Sequence, residues 1–238
     1  FGARTLSDDK KTAKYLNSPE SLVYNKSKVV YGLFHAKNEI IKQQKKCFLV
    51  EGYMDVISLF MTGIKNVVSS SGTSLTEDQI RQIHRFADDI TILYDGDLAG
   101  IKASLRAIDM ILEQGLNVRI VLFPEGEDPD SYAKKHGSSK TIDYIEKNET
   151  DFISFKANLL FDEAKNDPIK RASLITDIVR SIAIINDNIK QSVYIQECSK
   201  ILDVDQSVLY AEVLKIRKSK IESIRKQEYK YAQPVKST

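Results

Sequence analysis

ITILYDGDLAG, residues 90–100, decides the reading of the fold. Ile90 to Tyr94 is an apolar run, and a run of this length suits a strand buried on both faces of a sheet. It ends in Asp95 and Asp97 with Gly96 between them. Residues two apart in extended chain point the same way, so both carboxylates can face one ion. Two like charges at the mouth of a buried strand repel each other, so the pair points to a cation.

Outward from that strand, the neighbouring segments alternate. Cys47–Val50 reads as a strand, Val56–Met61 as an apolar helical stretch and Asn66–Ser69 as a second strand. Thr76 is placed to cap a helix. After the 89–94 strand, Ala99 to Gln114 reads as a helix closed by Gly115, and Val118–Phe123 as a fourth strand. This βαβαβαβ order predicts an α/β fold, a parallel sheet with helices on both faces.

Beyond about residue 150 the strand pattern stops. Phe152, Phe155, Leu159 and Leu160, then Leu174, Ile175, Ile178, Val179 and Ile182, recur at helical spacing and predict a helical bundle. Ile216 to Thr238 is polar and basic, and reads as a frayed helix or linker. Near the start, Leu22–Tyr24 and Val29–Tyr31 look β-like, and Asn17-Ser18-Pro19-Glu20 signals a turn.

The chain has 238 residues, 42% hydrophobic and 29% charged, which bounds it to one or two globular domains. It holds no run of about 18 apolar residues, so no membrane span is expected. Cys47 and Cys198 make neither a CxxC pair nor a disulfide framework, which fits a reducing cytoplasm. His35, His84 and His136 are too few and too scattered for a zinc site. The net charge of +2 is unevenly spread: residues 1–50 sum to +6, residues 51–150 to −7 and residues 151–238 to +3. A basic segment abuts an acidic one, as a phosphate-binding surface would beside a metal-binding one, or as solvated faces would by chance.

Ligands of open parallel sheets bind at the carboxyl ends of the strands, and three of the four ends here are acidic. The first strand runs into Glu51-Gly52-Tyr53-Met54-Asp55, the third into Asp95-Gly96-Asp97 and the fourth into Glu125-Gly126-Glu127-Asp128-Pro129-Asp130. Carboxylate oxygens are what a hard cation such as Mg²⁺ takes, and two such ions can clamp a phosphoryl displacement. Each cluster also has a plainer reading. Asp55 and Asp128 can serve helix N-termini, Asp95-Gly96-Asp97 can be a turn, and Glu125 and Glu127 read as solvated loop charges. The second strand ends in Ser69–Ser74, small and hydroxyl-bearing, which suits either a phosphate or a flexible loop.

Glu51 after the first strand with Asp95-Gly96-Asp97 after the third resembles the Toprim domain shared by topoisomerases, primases and some nucleases. VEGYMD (50–55), YDGDLAG (94–100) and GEDPD (126–130), with KYLNSPE (14–20), Lys26 and YGL (31–33), resemble the bacterial replicative primase family of DnaG type. The likeness runs from Phe1 to about Gly137. It implies a division into the end of a basic mixed α+β subdomain (1–45), a Toprim domain (46–148), a helical subdomain (149–215) and a linker or tail (216–238). It implies synthesis of short RNA primers on single-stranded DNA from ribonucleoside triphosphates by metal-dependent nucleotidyl transfer. Catalysis would fall to Glu51, Asp95 and Asp97. Mg²⁺ or Mn²⁺ would be held by Glu51, Asp55, Asp95, Asp97, Asp128 and Asp130. Nucleotide and template would meet Arg4, Lys14, Tyr15, Asn17 and Lys26.

The family's zinc-binding domain and helicase-binding domain have no counterpart in this sequence. It opens on Phe1 rather than Met, so an excised catalytic-core fragment is expected. Zinc is then not expected in it, the replicative helicase would be met through a domain absent here, and the setting would be the bacterial cytoplasm at the replication fork. Two rivals stay open: a Toprim nuclease or topoisomerase, and a non-catalytic module that binds nucleic acid or nucleotides.

Overall fold

The computed structural model describes residues 2–5, 15–22, 24–70, 74–164 and 167–232. The chain opens with two short antiparallel strands, β1 (Gly2–Arg4) and β2 (Tyr15–Asn17), with Gly2 opposite Asn17. Helix α1 (Leu33–Lys42) follows Gly32, whose φ of 83° is left-handed. A Cβ there would also lie 3.0 Å from the Val67 carbonyl, so the position requires glycine on both counts.

The alternating middle then unfolds in chain order: β3 (Lys46–Val50), α2 (Tyr53–Thr62), β4 (Val67–Ser69), α3 (Glu77–His84), β5 (Asp89–Tyr94), α4 (Leu98–Glu113), β6 (Asn117–Leu122) and α5 (Pro129–Asn148). The strands lie in the order β4-β3-β5-β6, all parallel, and β7 (Thr150–Asp151) adds antiparallel to β6. Thr76 caps α3, its hydroxyl accepting the Gln79 backbone N–H at 3.2 Å.

The apolar run of β5 serves both faces because successive side chains alternate. Leu93 packs with Val50, Val121, Phe123 and the α2 residues Val56 and Leu59 on one face. Ile90, Ile92 and Tyr94 pack on the other with Ile83 of α3 and Ile108 and Ile111 of α4. Thr91, buried between them, satisfies its hydroxyl by donating to the Glu149 carboxylate at 2.5 Å.

The helical remainder is α6 (Phe152–Ala164), α7 (Pro168–Ile184), α8 (Asn188–Leu202) and α9 (Gln206–Ala232). Phe152, Ile178, Ile195 and Leu209 from these helices belong to the same buried cluster as β5, so the bundle shares one core with the sheet. Both cysteines are free and buried in that cluster. No helix among the described residues is long and apolar enough to cross a membrane.

Several elements differ from the sequence reading. Residues 29–31 form no strand; Tyr31 makes one isolated bridge, exchanging two 3.0 Å hydrogen bonds with Ser69. Ser21 and Tyr24 close a turn on each other rather than a strand, and Val23 lies outside the described residues. α9 continues unbroken through position 216 to Ala232. Two elements carried no sequence signal. α5 is polar, with a left-handed Gly137 interrupting it, and β7 is only two residues long.

The strand order positions the site. The chain leaves β3 for β4 through α2 on one face, then crosses to β5 through α3 on the other. Right-handed crossovers in opposite directions leave a crevice between the carboxyl ends of β3 and β5.

Candidate metal and nucleotide site

Glu51 leaves β3 on one side of that crevice and Asp95-Gly96-Asp97 leaves β5 on the other. Burial, and next the charge of Asp97, hold the Glu51 carboxyl above the usual carboxylate range. Burial, and next the charge of Glu51, push the Tyr94 phenol upward. Glu51, Tyr94 and Asp97 therefore share one electrostatic neighbourhood.

The β5 and β6 exits are clamped together. Phe123 N–H donates to the Tyr94 carbonyl at 3.0 Å, and Gly96 N–H donates to the Glu127 carbonyl at 2.9 Å. A Cβ on Gly96 would lie 1.9 Å from the Pro124 carbonyl oxygen, so only glycine permits this approach.

Asp55, Asp128 and Asp130 form a second group. Asp55 is 7% exposed in the first turn of α2. Its Oδ2 accepts the Gly52 N–H at 3.0 Å and its Oδ1 accepts the Asp130 N–H at 3.2 Å. Burial first, then the charges of Asp128 and Asp130, push its pKa up to about 6 against the pull of those two N–H donors. Asp128 caps α5, accepting the Ser131 N–H at 2.6 Å. Asp130 accepts from the Ser58 hydroxyl and pairs with Lys134 at 2.7 Å. The helix-terminus reading of Asp55 and Asp128 therefore describes real contacts. Glu127, expected as a solvated charge, is half-buried and paired with Lys135, with His136 Nε2 at 3.7 Å.

Among the described residues, no three acidic, histidine or cysteine side chains stand close enough to form a metal cage as they are. The donor chemistry nevertheless fits a hard divalent cation. The charge of Asp97 is, after burial, a cause of the raised Glu51 carboxyl, and a cation bound near both would relieve that repulsion. Asp55 and Asp130 already accept protein donors.

The N-terminal strands reach the same loop. Asn17 Oδ1 accepts from the hydroxyl of Tyr53, two residues past Glu51, at 2.8 Å. The Tyr31 ring meets Tyr53 edge-on at 4.7 Å. Gly2 sits so near that its added Cβ would be 2.9 Å from the Tyr53 ring. Arg4 and Tyr15 are cross-strand partners in backbone register. Their side chains and the whole of Lys14 lie outside the described residues. Lys26 is half-buried, with its carbonyl accepting from Gln79 Nε2 at 3.3 Å. Its backbone N–H donates to the Glu20 carboxylate at 2.9 Å.

A cleft of about 860 Å³ opens on the α3–α4 side of the crevice, lined by Glu51, Tyr94, Ser70, Thr76, Arg81 and Arg106. Ser70 and Ser74 of the serine-rich loop also line it, while residues 71–73 lie outside the described residues. Sequence reading missed Arg106, because one arginine on an amphipathic helix gives no signal until the helix is placed.

Comparison with known proteins agrees with this fold. Residues 48–133 match the Toprim-like family, and residues 1–37 match the N-terminal domain of the DNA primase catalytic core. A DNA primase of Staphylococcus epidermidis is 32% identical over 213 residues, covering 90% of this chain and 35% of that protein. The chain thus spans about a third of the curated relatives it matches. Among solved structures, a DNA primase domain from Pseudomonas aeruginosa superposes with a TM-score of 0.74 at 33% identity, over 91% of this chain and 66% of that one. A DnaG catalytic core gives 0.72 at 33%, over 87% and 67%. A DnaG primase catalytic domain bound to single-stranded DNA gives 0.71 at 32%, over 84% and 64%.

Proposed function

The chain belongs to the DnaG-type DNA primase family, and on that premise we propose that it performs nucleotidyl transfer, joining ribonucleotides into short RNA primers on a single-stranded DNA template. The observation that carries this reading is the placement of Glu51 at the carboxyl end of β3 and of Asp95-Gly96-Asp97 at that of β5, on either side of the switch-point crevice. Ribonucleoside triphosphates are the assigned substrates and Mg²⁺ or Mn²⁺ the assigned ion. Glu51, Asp95 and Asp97 would hold it, with Asp55, Asp128 and Asp130 as further oxygen donors. When bound, it would supply Lewis-acid stabilisation of charge on the reacting phosphate.

The chain's own groups do the rest. Gly96 and the β5–β6 clamp fix where the carboxylates point, which a transfer reaction needs more than it needs covalent chemistry. Arg4, Lys14 and Lys26 attract the polyanionic template and nucleotide, so binding weakens as salt rises. Tyr15 and Asn17 would lie beside that path. A replicative helicase at the fork is the partner the resemblance implies, and no described surface is assigned to it.

Of the cleaving alternatives, the topoisomerase-like one needs a tyrosine hydroxyl free to attack a phosphodiester. Tyr94 is 3% exposed and stacked on Phe155 at 6.0 Å, and Tyr53 donates its hydroxyl to Asn17. Both contacts argue against either tyrosine as that nucleophile, and a nuclease that uses water is left to the test. The test is incubation of this chain with single-stranded DNA and labelled ribonucleotides, in Mg²⁺ and then in Mn²⁺, beside Asp95→Asn. Short RNA made by the wild type and lost in the variant is expected. Nicked DNA without RNA would favour the nuclease, and ion-independent DNA retention without chemistry would favour a binding module.

A further inference from the structure

Phe34, on the first turn of α1, is 76% exposed. A single exposed aromatic is ordinary, but this one lines a cleft of about 450 Å³ whose other walls include Leu33 and Phe86. Both are partly buried against the main core, which makes the floor rigid. The polar lining is Lys28, Lys37, Gln82 and Asn25, two cations and no carboxylate. Lys37 Nζ rests 4.7 Å from the Phe34 ring centroid. Such an exposed contact is weak and its stem flexible, so the ammonium can leave the ring for a phosphate. Asp78, whose carboxyl feels the charge of Lys28, is already paired with Arg81.

The cleft also adjoins the carboxylate site. Ser27 lines the cleft that holds Glu51, and Lys28, the next residue, lines the cleft that holds Phe34. One residue of chain, roughly 3.8 Å, separates the two walls. A polyanion leaving the first cleft over this ridge meets cations and an aromatic face.

We propose that the Phe34 cleft is a stacking platform for an unpaired base of single-stranded nucleic acid, with Lys28 and Lys37 taking the flanking phosphates. A phenyl face accepts any base, and lysines read charge without sequence, so the platform is sequence-tolerant. This inference rests on the reading above that the chain takes a single-stranded template.

The chain contains no tryptophan, so Phe34→Trp would install its sole indole at the platform. The experiment titrates a fluorescein-labelled oligothymidylate of roughly 12 nucleotides, within the usual span of such grooves, into wild type, Phe34→Ala, Phe34→Trp and Lys28→Ala/Lys37→Ala. Anisotropy is read throughout and indole emission in the Trp variant. Expected are a loss of affinity of about 5- to 100-fold for Phe34→Ala, retained affinity with quenched emission for Phe34→Trp, and a shallower salt slope for the double lysine variant. Wild-type binding with unchanged affinity in Phe34→Ala and unquenched indole would overturn the platform alone. No wild-type binding to the single strand would overturn the template reading and the platform with it. At 76% exposure the position tolerates substitution, so the variants report on binding rather than folding.

Discussion

Gly96 donates its backbone N–H to the Glu127 carbonyl at 2.9 Å, which fastens the loop after β5 to the loop after β6. Both loops carry acids, so the bond sets how Asp95 and Asp97 stand relative to Asp128. The contact is possible because position 96 lacks a Cβ, which would fall 1.9 Å from the Pro124 oxygen. Gly96 is absent from the positive-φ glycines, so its requirement is space rather than backbone conformation. Gly96→Ala should force the loops apart at a cost of about 1–3 kcal/mol. Far-UV circular dichroism should stay native-like while primer synthesis falls by orders of magnitude. Wild-type activity in Gly96→Ala would show that the clamp does not set the site.

Glu51 and Asp97 form the next testable pair. Asp97 is the second cause, after burial, that raises the Glu51 carboxyl. Removing that charge in Asp97→Asn should move the Glu51 pKa down toward its ordinary value without restoring it fully. Carboxyl-carbon chemical shifts followed by NMR across acidic pH, in chelator, measure this directly. The same variant should lose divalent-ion binding. An unmoved Glu51 titration would mean that the two carboxylates do not face each other.

Asp55 makes the stability of the ion-free chain depend on pH. Its pKa rises from 3.8 to about 6, with burial as the main cause. The folded state therefore holds a proton that the unfolded chain has already released, so stability is greater below about pH 4 and is lost as pH rises through about 6. A shift of about two units corresponds to roughly 2–3 kcal/mol. Urea unfolding in chelator at several pH values should show the decline, and Asp55→Asn should flatten it. Mg²⁺ should recover the lost stability near neutrality if Asp55 ligates the ion. A wild-type profile parallel to that of Asp55→Asn would refute the assignment.

What the sequence made legible follows from how strongly each element is specified. The strands β3 to β6 could be read because burial on both faces leaves near-continuous apolar runs, as in Ile90 to Tyr94. Their acidic ends could be read because Glu51 and Asp95-Gly96-Asp97 follow those runs directly. α5 was invisible because its stripe is weak and Gly137 breaks it. β7 was invisible because two residues show no period. The hydrogen bond from Asp130 N–H to Asp55 spans 75 positions and no local pattern encodes it. The exposed stacking face of Phe34 was equally silent, since a phenylalanine among helical apolar residues reads as core until the helix is packed.

Lys156 supplies the last prediction. It lies almost fully buried on α6, with Nζ 3.1 Å from Asp109 Oδ1 on α4 and 2.5 Å from Ser181 Oγ on α7. Ser181 also donates to Asp109 at 2.5 Å, so three helices meet in one polar knot. α4 is the helix that begins directly after Asp97, so the knot ties the helical bundle to the element that carries the β5 carboxylates away from the crevice. Removing one member of a buried pair leaves the other uncompensated, which costs about 3–5 kcal/mol when both are fully enclosed. Asp109 keeps 35% of its side-chain surface, so Lys156→Met should cost less, about 2–3 kcal/mol. For a chain of this size that is a fall in melting temperature of roughly 5–10 °C. The double variant Lys156→Met/Asp109→Leu should recover most of the loss, because no buried charge then remains unpaired. Thermal melts of the three proteins decide the matter. Equal destabilisation in the single and double variants would mean that Lys156 acts through its packing and not through the pair.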